Sequence, residues 1–129
     1  MRPSLTFWLS LAILGSLAAL LVFPTIGHSN KARVTAAFYD VRHGIKAALD
    51  SYRADTGAYP KDLGALLENE SGNTNWSGPY LDPAKLPVDP WGHSYIYHFP
   101  GRHELGSYDL QSAGPDGKEG TADDIYNWP

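Results

Sequence analysis

An unbroken apolar run opens the chain. Leu, Ala, Ile, Val, Phe and Trp dominate Leu5 to Phe23, and no lysine, arginine or carboxylate falls between Pro3 and Asn30. Nineteen helical residues would span roughly 28 Å at about 1.5 Å each, close to the hydrocarbon thickness of a bilayer. Trp8 lies near one end, where an interfacial ring is favoured. The run is long for a cleaved secretory signal, and no convincing small-x-small cleavage site follows it, so an uncleaved membrane anchor over residues 1–29 is expected.

The pattern then changes period. Val34, Phe38, Val41, Ile45, Ala48, Leu49 and Tyr52 recur at three- and four-residue spacing and predict one helical stripe over Ala32 to Tyr52. Arg33, Asp40, Arg42, Lys46, Asp50 and Arg53 fall mostly off it. Pro24 would kink or restart the helix, and Gly57 is a stop signal. Asp62 is placed to cap a short helix over Leu63 to Leu67. Residues 68–85 read as an ordered surface loop pinned by Trp76, Tyr80 and Leu81, and Asp89-Pro90-Trp91-Gly92 as a turn. Ser94 to Phe99 and Ser107 to Ser112 alternate as two antiparallel strands, with Ile125 to Trp128 available as a short third. The fold expected is α+β: a long helix, its first half in membrane, its second half packed on a small antiparallel sheet.

Composition sharpens this outline. The chain has 129 residues and no cysteine, so the polar domain over residues 30–129 must close a small core without disulfides. A net charge of −4 argues against a nucleic-acid partner, whose phosphates need clustered Lys and Arg. His93, His98 and His103 lack the tight spacing of a zinc site. Tyr95, Tyr97, Tyr108, Tyr126, Trp91 and Trp128 suit the core of a small sheet better than a sugar platform. Neither a nucleophile elbow nor a glycine-rich phosphate loop is present, and no enzyme activity is expected.

The strongest chemistry lies at the carboxyl end. Asp116, Asp123 and Asp124 share one short loop that Gly114, Gly117 and Gly120 allow to fold back. Carboxylates so close repel unless water or a cation lies between them. Hard oxygens on such a loop suit Ca²⁺, which takes six to eight oxygen ligands at roughly 2.3–2.6 Å. The spacing is not that of an EF-hand, and a solvated hairpin turn is the alternative.

Several stretches together resemble the protein G family of type II secretion systems, the major pseudopilins. They are Tyr59-Pro60, Leu86-Pro87-Val88-Asp89-Pro90-Trp91-Gly92, Tyr95-Ile96-Tyr97, Ser107 through Gly117, Asp123-Asp124-Ile125 and Asn127-Trp128. The resemblance runs from about Ala32 to the end of the chain. It implies a pilin-like fold and a carboxyl-terminal calcium loop. The ligands it implies are Asp116, Asp123 and Asp124, with the Ala113 carbonyl and, more weakly, Thr121. It also implies a structural subunit of an export machine, associating with copies of itself or other pseudopilins. Lys31, Arg33, Arg42 and Lys46 follow the apolar run, and a count of positive charge alone would put the domain in the cytoplasm. The resemblance implies the opposite: a single pass through the bacterial inner membrane, residues 5–23 in the bilayer and the domain in the periplasm.

The resemblance departs in one place. The family's amino-terminal signature is a basic leader, a glycine before the cleavage point, then a methylated Phe and a glutamate. Residues 1–14 carry neither glycine nor acid, although Ile13-Leu14-Gly15 and Pro24 echo the family's anchor helix. A membrane-anchored envelope binding protein that keeps the domain without assembling is therefore the alternative expectation.

Overall fold

The computed structural model describes residues 26–129. The chain divides between Ala32 and Arg33, and Arg33–Pro129 forms a compact unit. Among the described residues no helix is long and apolar enough to cross a membrane. The expected anchor at Leu5–Phe23, with Trp8 and Pro24, lies outside the described residues.

Helix α1, Ile26–Tyr39, runs through a π-helical turn, Asp40–Gly44, into α2, Ile45–Thr56. The amide of Ile45 reaches back five residues to the carbonyl of Asp40, which widens the turn. Gly57 ends the helix as expected: its φ of 93° is left-handed, and its N–H caps the Arg53 carbonyl. A 3₁₀ turn follows at Leu63–Leu66. Asp62 precedes it in extended conformation but makes no capping hydrogen bond, so the turn depends on burial of Leu66 rather than on its cap.

The sheet is antiparallel, in the order β1 (Ile96–His98), β2 (Asp109–Ser112), β3 (Ile125–Tyr126). Tyr97 pairs with Leu110 and Ser112 with Ile125. Both long strands are shorter than their alternation suggests. Ser94 joins only an isolated bridge with Val88, β1 stops at His98, one residue before Phe99, and β2 begins at Asp109 rather than Ser107. Asn127 lengthens the β3 edge with its side chain, accepting the Leu110 N–H at 2.8 Å and donating to the Tyr108 carbonyl at 3.1 Å.

The helix buries Ala37, Val41, Ile45, Ala48, Leu49 and Tyr52 in one core with Leu66, Tyr95, Tyr108, Leu110 and Ile125. The stripe expected from sequence needs correction at its start. Val34 is 39% and Phe38 45% exposed, while Ala37 is fully buried. A uniform 3.6-residue period places Phe38 with Val41, but the wider π turn rotates the residues before it relative to those after it. Phe38 instead lies beneath Arg42, whose guanidinium sits 4.4 Å from the ring centre.

Polar ties run between helix and sheet. The Tyr95 hydroxyl donates to Asp40 at 2.7 Å, and burial together with that bond raises its pKa far above the usual phenol value. Arg42 donates to the carbonyls of Tyr126 and Trp128 at 3.4 and 3.3 Å. The residue 68–85 loop is pinned as expected, with the Trp76 indole N–H donating to the Ala65 carbonyl at 2.8 Å and the Tyr80 N–H to Leu66 at 2.8 Å. His103 is more than an exposed polar side chain in a turn. It approaches Asp109 at 2.8 Å and stacks on Trp128 at 4.2 Å. Burial opposes ionisation of Asp109, but His103 and the backbone N–H groups of Arg102 and His103 outweigh it and hold the carboxyl below its ordinary pKa.

Leu49 is fully buried and Phe38 is not. Leu49→Ala should therefore lower unfolding free energy by about 3–5 kcal/mol, and Phe38→Ala by only about 1. Urea unfolding of the two variants checks this, and equal losses would return Phe38 to the core.

Candidate metal centre

Strand β2 delivers the chain to the loop. Ser112 and Ala113 are buried at its end, and Gly114 turns the backbone outward at φ 65°. The loop then crosses Asp116, turns again at Gly117 and Gly120, and returns through Thr121, Asp123 and Asp124 into β3. Its two limbs touch at Gly114. A Cβ built there would lie 2.3 Å from the Asp123 carbonyl oxygen and 2.9 Å from its side chain, a separation no real side chain tolerates.

Asp116, Asp123 and Asp124 come together as the sequence suggested. One oxygen from each lies within 4.8 Å of the others, with Asp116 exposed and the other two half-buried. Thr121 bridges the pair on the returning limb, with its hydroxyl 2.5 Å from Asp123 and 3.2 Å from Asp124. That bond, with the Asp116 N–H on Asp123 Oδ2 at 3.1 Å, lowers the Asp123 pKa and keeps it ionised. Asp116 accepts the Lys118 N–H at 2.8 Å, and Asp124 accepts the Gly120 N–H at 2.7 Å. Backbone donors thus orient all three carboxylates. Ala113, the remaining residue of the expected set, is 4% exposed at the loop's entrance.

Three further residues support the loop and were not assigned to it from the sequence. Asp89 and Ser112 are buried beneath it, and the Ser112 hydroxyl donates to Asp89 at 2.7 Å. His93 lies against Gly117, where a Cβ would come within 2.8 Å of its Nε2. The only available signal was the Asp89-Pro90-Trp91-Gly92 motif, which reads as a turn and gives no hint of where the turn docks. The three histidines considered for zinc have separate partners: His93 nears Asp89, His98 nears Glu119, and His103 nears Asp109.

The donor set fits a hard divalent cation. It is all oxygen and anionic, it is preoriented by backbone N–H groups, and it is closed at a corner where only glycine fits.

Comparisons with known proteins agree with this architecture. The family described as "Type II secretion system (T2SS), protein G" matches residues 25–128. The type II secretion system core protein G of Pseudomonas aeruginosa is 47% identical over 126 residues, covering 90% of this chain and 85% of that one. Its counterpart in Escherichia coli K12 is 41% identical over 126 residues, covering 92% of this chain and 83% of that one. The crystal structure of the major pseudopilin from the type 2 secretion system of enterohaemorrhagic Escherichia coli superposes with a TM-score of 0.65 at 34% identity. It covers 84% of this chain and 97% of that one.

Gly114 and Gly120 separate crowding from backbone strain. Gly120 has a φ of 88° with open space around it, so Gly120→Ala should cost about 1–2 kcal/mol from its left-handed backbone alone. Gly114→Ala adds a collision with Asp123 and should cost clearly more. Thermal melts of both variants in excess chelator check the order, and equal losses would mean that the limbs do not meet at Gly114.

Proposed function

The chain belongs to the protein G family of type II secretion systems, and from that premise we propose that it works as a pseudopilin, a structural subunit of a secretion machine. The observation that carries the reading is the helix face left open by the fold. Val34, Phe38 and Tyr39 stay 39%, 45% and 61% exposed, while Ala37 and Val41 are fully buried. A stripe of this kind on a long helix suits packing against the same helix of a neighbouring copy or of another pseudopilin. The work is then mechanical: helices bundle into a filament that moves or gates exported proteins. The apolar run Leu5–Phe23 serves in this reading as a single inner-membrane anchor, and the domain stands in the periplasm.

Phe38→Asp tests the assembly. Phe38 is partly exposed, so the variant should fold, whereas a charge buried between helices is costly. Cross-linking in membranes should show higher oligomers of the wild-type chain and their loss in Phe38→Asp. If the wild-type chain forms none while a secretion system is active, the chain acts instead as an anchored binding module.

The loop is the second part of the proposal. We assign Asp116, Asp123 and Asp124 as side-chain ligands of one Ca²⁺, with the Ala113 carbonyl and Thr121 as further oxygen donors. Support comes from the convergence of three preoriented carboxylates, none of which pairs with a Lys, Arg or His among the described residues. A bound cation would neutralise their repulsion and fix the return of β3 beside β2. Binding free energy then becomes folding free energy, about 2.7 kcal/mol at a hundredfold excess over Kd. Excess chelator should lower the melting temperature, and Asp124→Ala should remove that dependence. Magnesium should substitute poorly, because it demands about six ligands in a tight octahedron at 2.0–2.1 Å. Identical melting temperatures in chelator and in millimolar calcium would leave the loop a solvated turn.

A further inference from the structure

Asp89 carries no part of the carboxylate cluster, yet it is only 2% exposed. A carboxylate so deeply covered is retained at a cost unless donors surround it. Its Oδ1 accepts the N–H groups of Trp91 at 3.0 Å and His93 at 2.8 Å. Its Oδ2 accepts the hydroxyl of the fully buried Ser112 at 2.7 Å. The Ser112 oxygen then accepts the N–H of Gly114 at 3.1 Å. A relay of two hydrogen bonds thus joins a buried anion to the backbone at the mouth of the loop.

The same turn reaches the loop a second time. The His93 ring lies so close to Gly117 that a Cβ there would meet Nε2 at 2.8 Å. His93 Nδ1 is buried without a hydrogen-bond partner and lies 3.5 Å from Asp89 Oδ2. Gly114 and Gly117 flank Asp116. The outward limb is therefore held on both sides of Asp116 by residues that make no hydrogen bond or ion pair to the three clustered carboxylates.

We infer that Asp89, Ser112 and His93 are positioning residues for the cation loop, holding the Gly114–Gly117 corner so that Asp116 stands at the right distance from Asp123 and Asp124. The inference rests on the calcium reading above and deepens it. Residues behind a metal's ligands typically change affinity by about 10–100-fold when removed.

The test uses the full chain in mild detergent, with calcium titrated by calorimetry and melting temperatures measured in excess chelator and in calcium. Ser112→Ala and Asp89→Asn should each weaken calcium binding about tenfold or more. Their melting temperatures should fall further in calcium than in chelator, a difference that a merely structural role would not produce. Calcium affinity within about twofold of wild type, or equal melting losses in the two conditions, would overturn the inference. Should both variants fail to fold in chelator, His93→Ala decides by the same criteria, since that side chain is 39% exposed and its loss leaves the core intact. A wild-type chain that takes up no calcium would remove the calcium reading itself, and with it this inference.

Discussion

All four residues of β2 are buried, which imposes a double requirement on its surroundings. Its backbone must be satisfied along both edges and its side chains covered on both faces. The edges are met by β1 and β3, with the Asn127 side chain completing the second ladder where β3 is too short to do so. Leu110 joins the helix core, whereas Asp109 and Ser112 are polar and need donors or acceptors of their own. Asp109 gathers the residue 101–106 connection around its carboxylate, and Ser112 ties the Asp89 turn to the loop. The sheet is small because one strand organises it, and the irregular segments are ordered because that strand's polar groups recruit them.

Much of this was legible in the sequence. The three- and four-residue spacing gave the helix, Gly57 its end, and the alternation around Tyr97 and Leu110 the hairpin. The carboxylate cluster was legible because Asp116 and the adjacent pair Asp123-Asp124 are close in sequence, with Gly117 and Gly120 between them. Two kinds of feature were not. The π turn at Asp40–Gly44 leaves no mark in hydrophobic periodicity, so the stripe was extended to Val34 and Phe38 on a period that changes there. The supports of the loop depend on long-range contacts: Asp89 and Ser112 are 23 residues apart, and nothing local announces that they meet.

The domain has no disulfide and a core of small extent, so polar closure carries an unusual share of its definition. Tyrosine supplies much of that closure, since one side chain can cover apolar surface and still place a hydroxyl on a distant acceptor. Tyr95 reaches Asp40, Tyr97 reaches the Pro60 carbonyl at 2.8 Å, and Tyr80 reaches Asp55 at 2.8 Å. Each joins segments that share no regular secondary structure. The rings also meet one another edge-on, as Tyr59 does with Tyr108 at 4.7 Å and Tyr52 with Tyr80 at 5.6 Å.

Arg42 has a consequence of a different kind. It belongs to the helix, yet it grips carbonyls of Tyr126 and Trp128, 84 and 86 residues further along the chain. The polypeptide is thereby closed into a circuit, with its last strand fastened directly to the helix. Tension along the helix axis does not have to travel through the intervening loops to reach the carboxyl end. It crosses at Arg42 and is shared at once with β3, and through β3 with the rest of the sheet. In a domain connected in this way, a load on the helix is divided between the two Arg42 bonds and the sheet ladder instead of passing through each loop in turn.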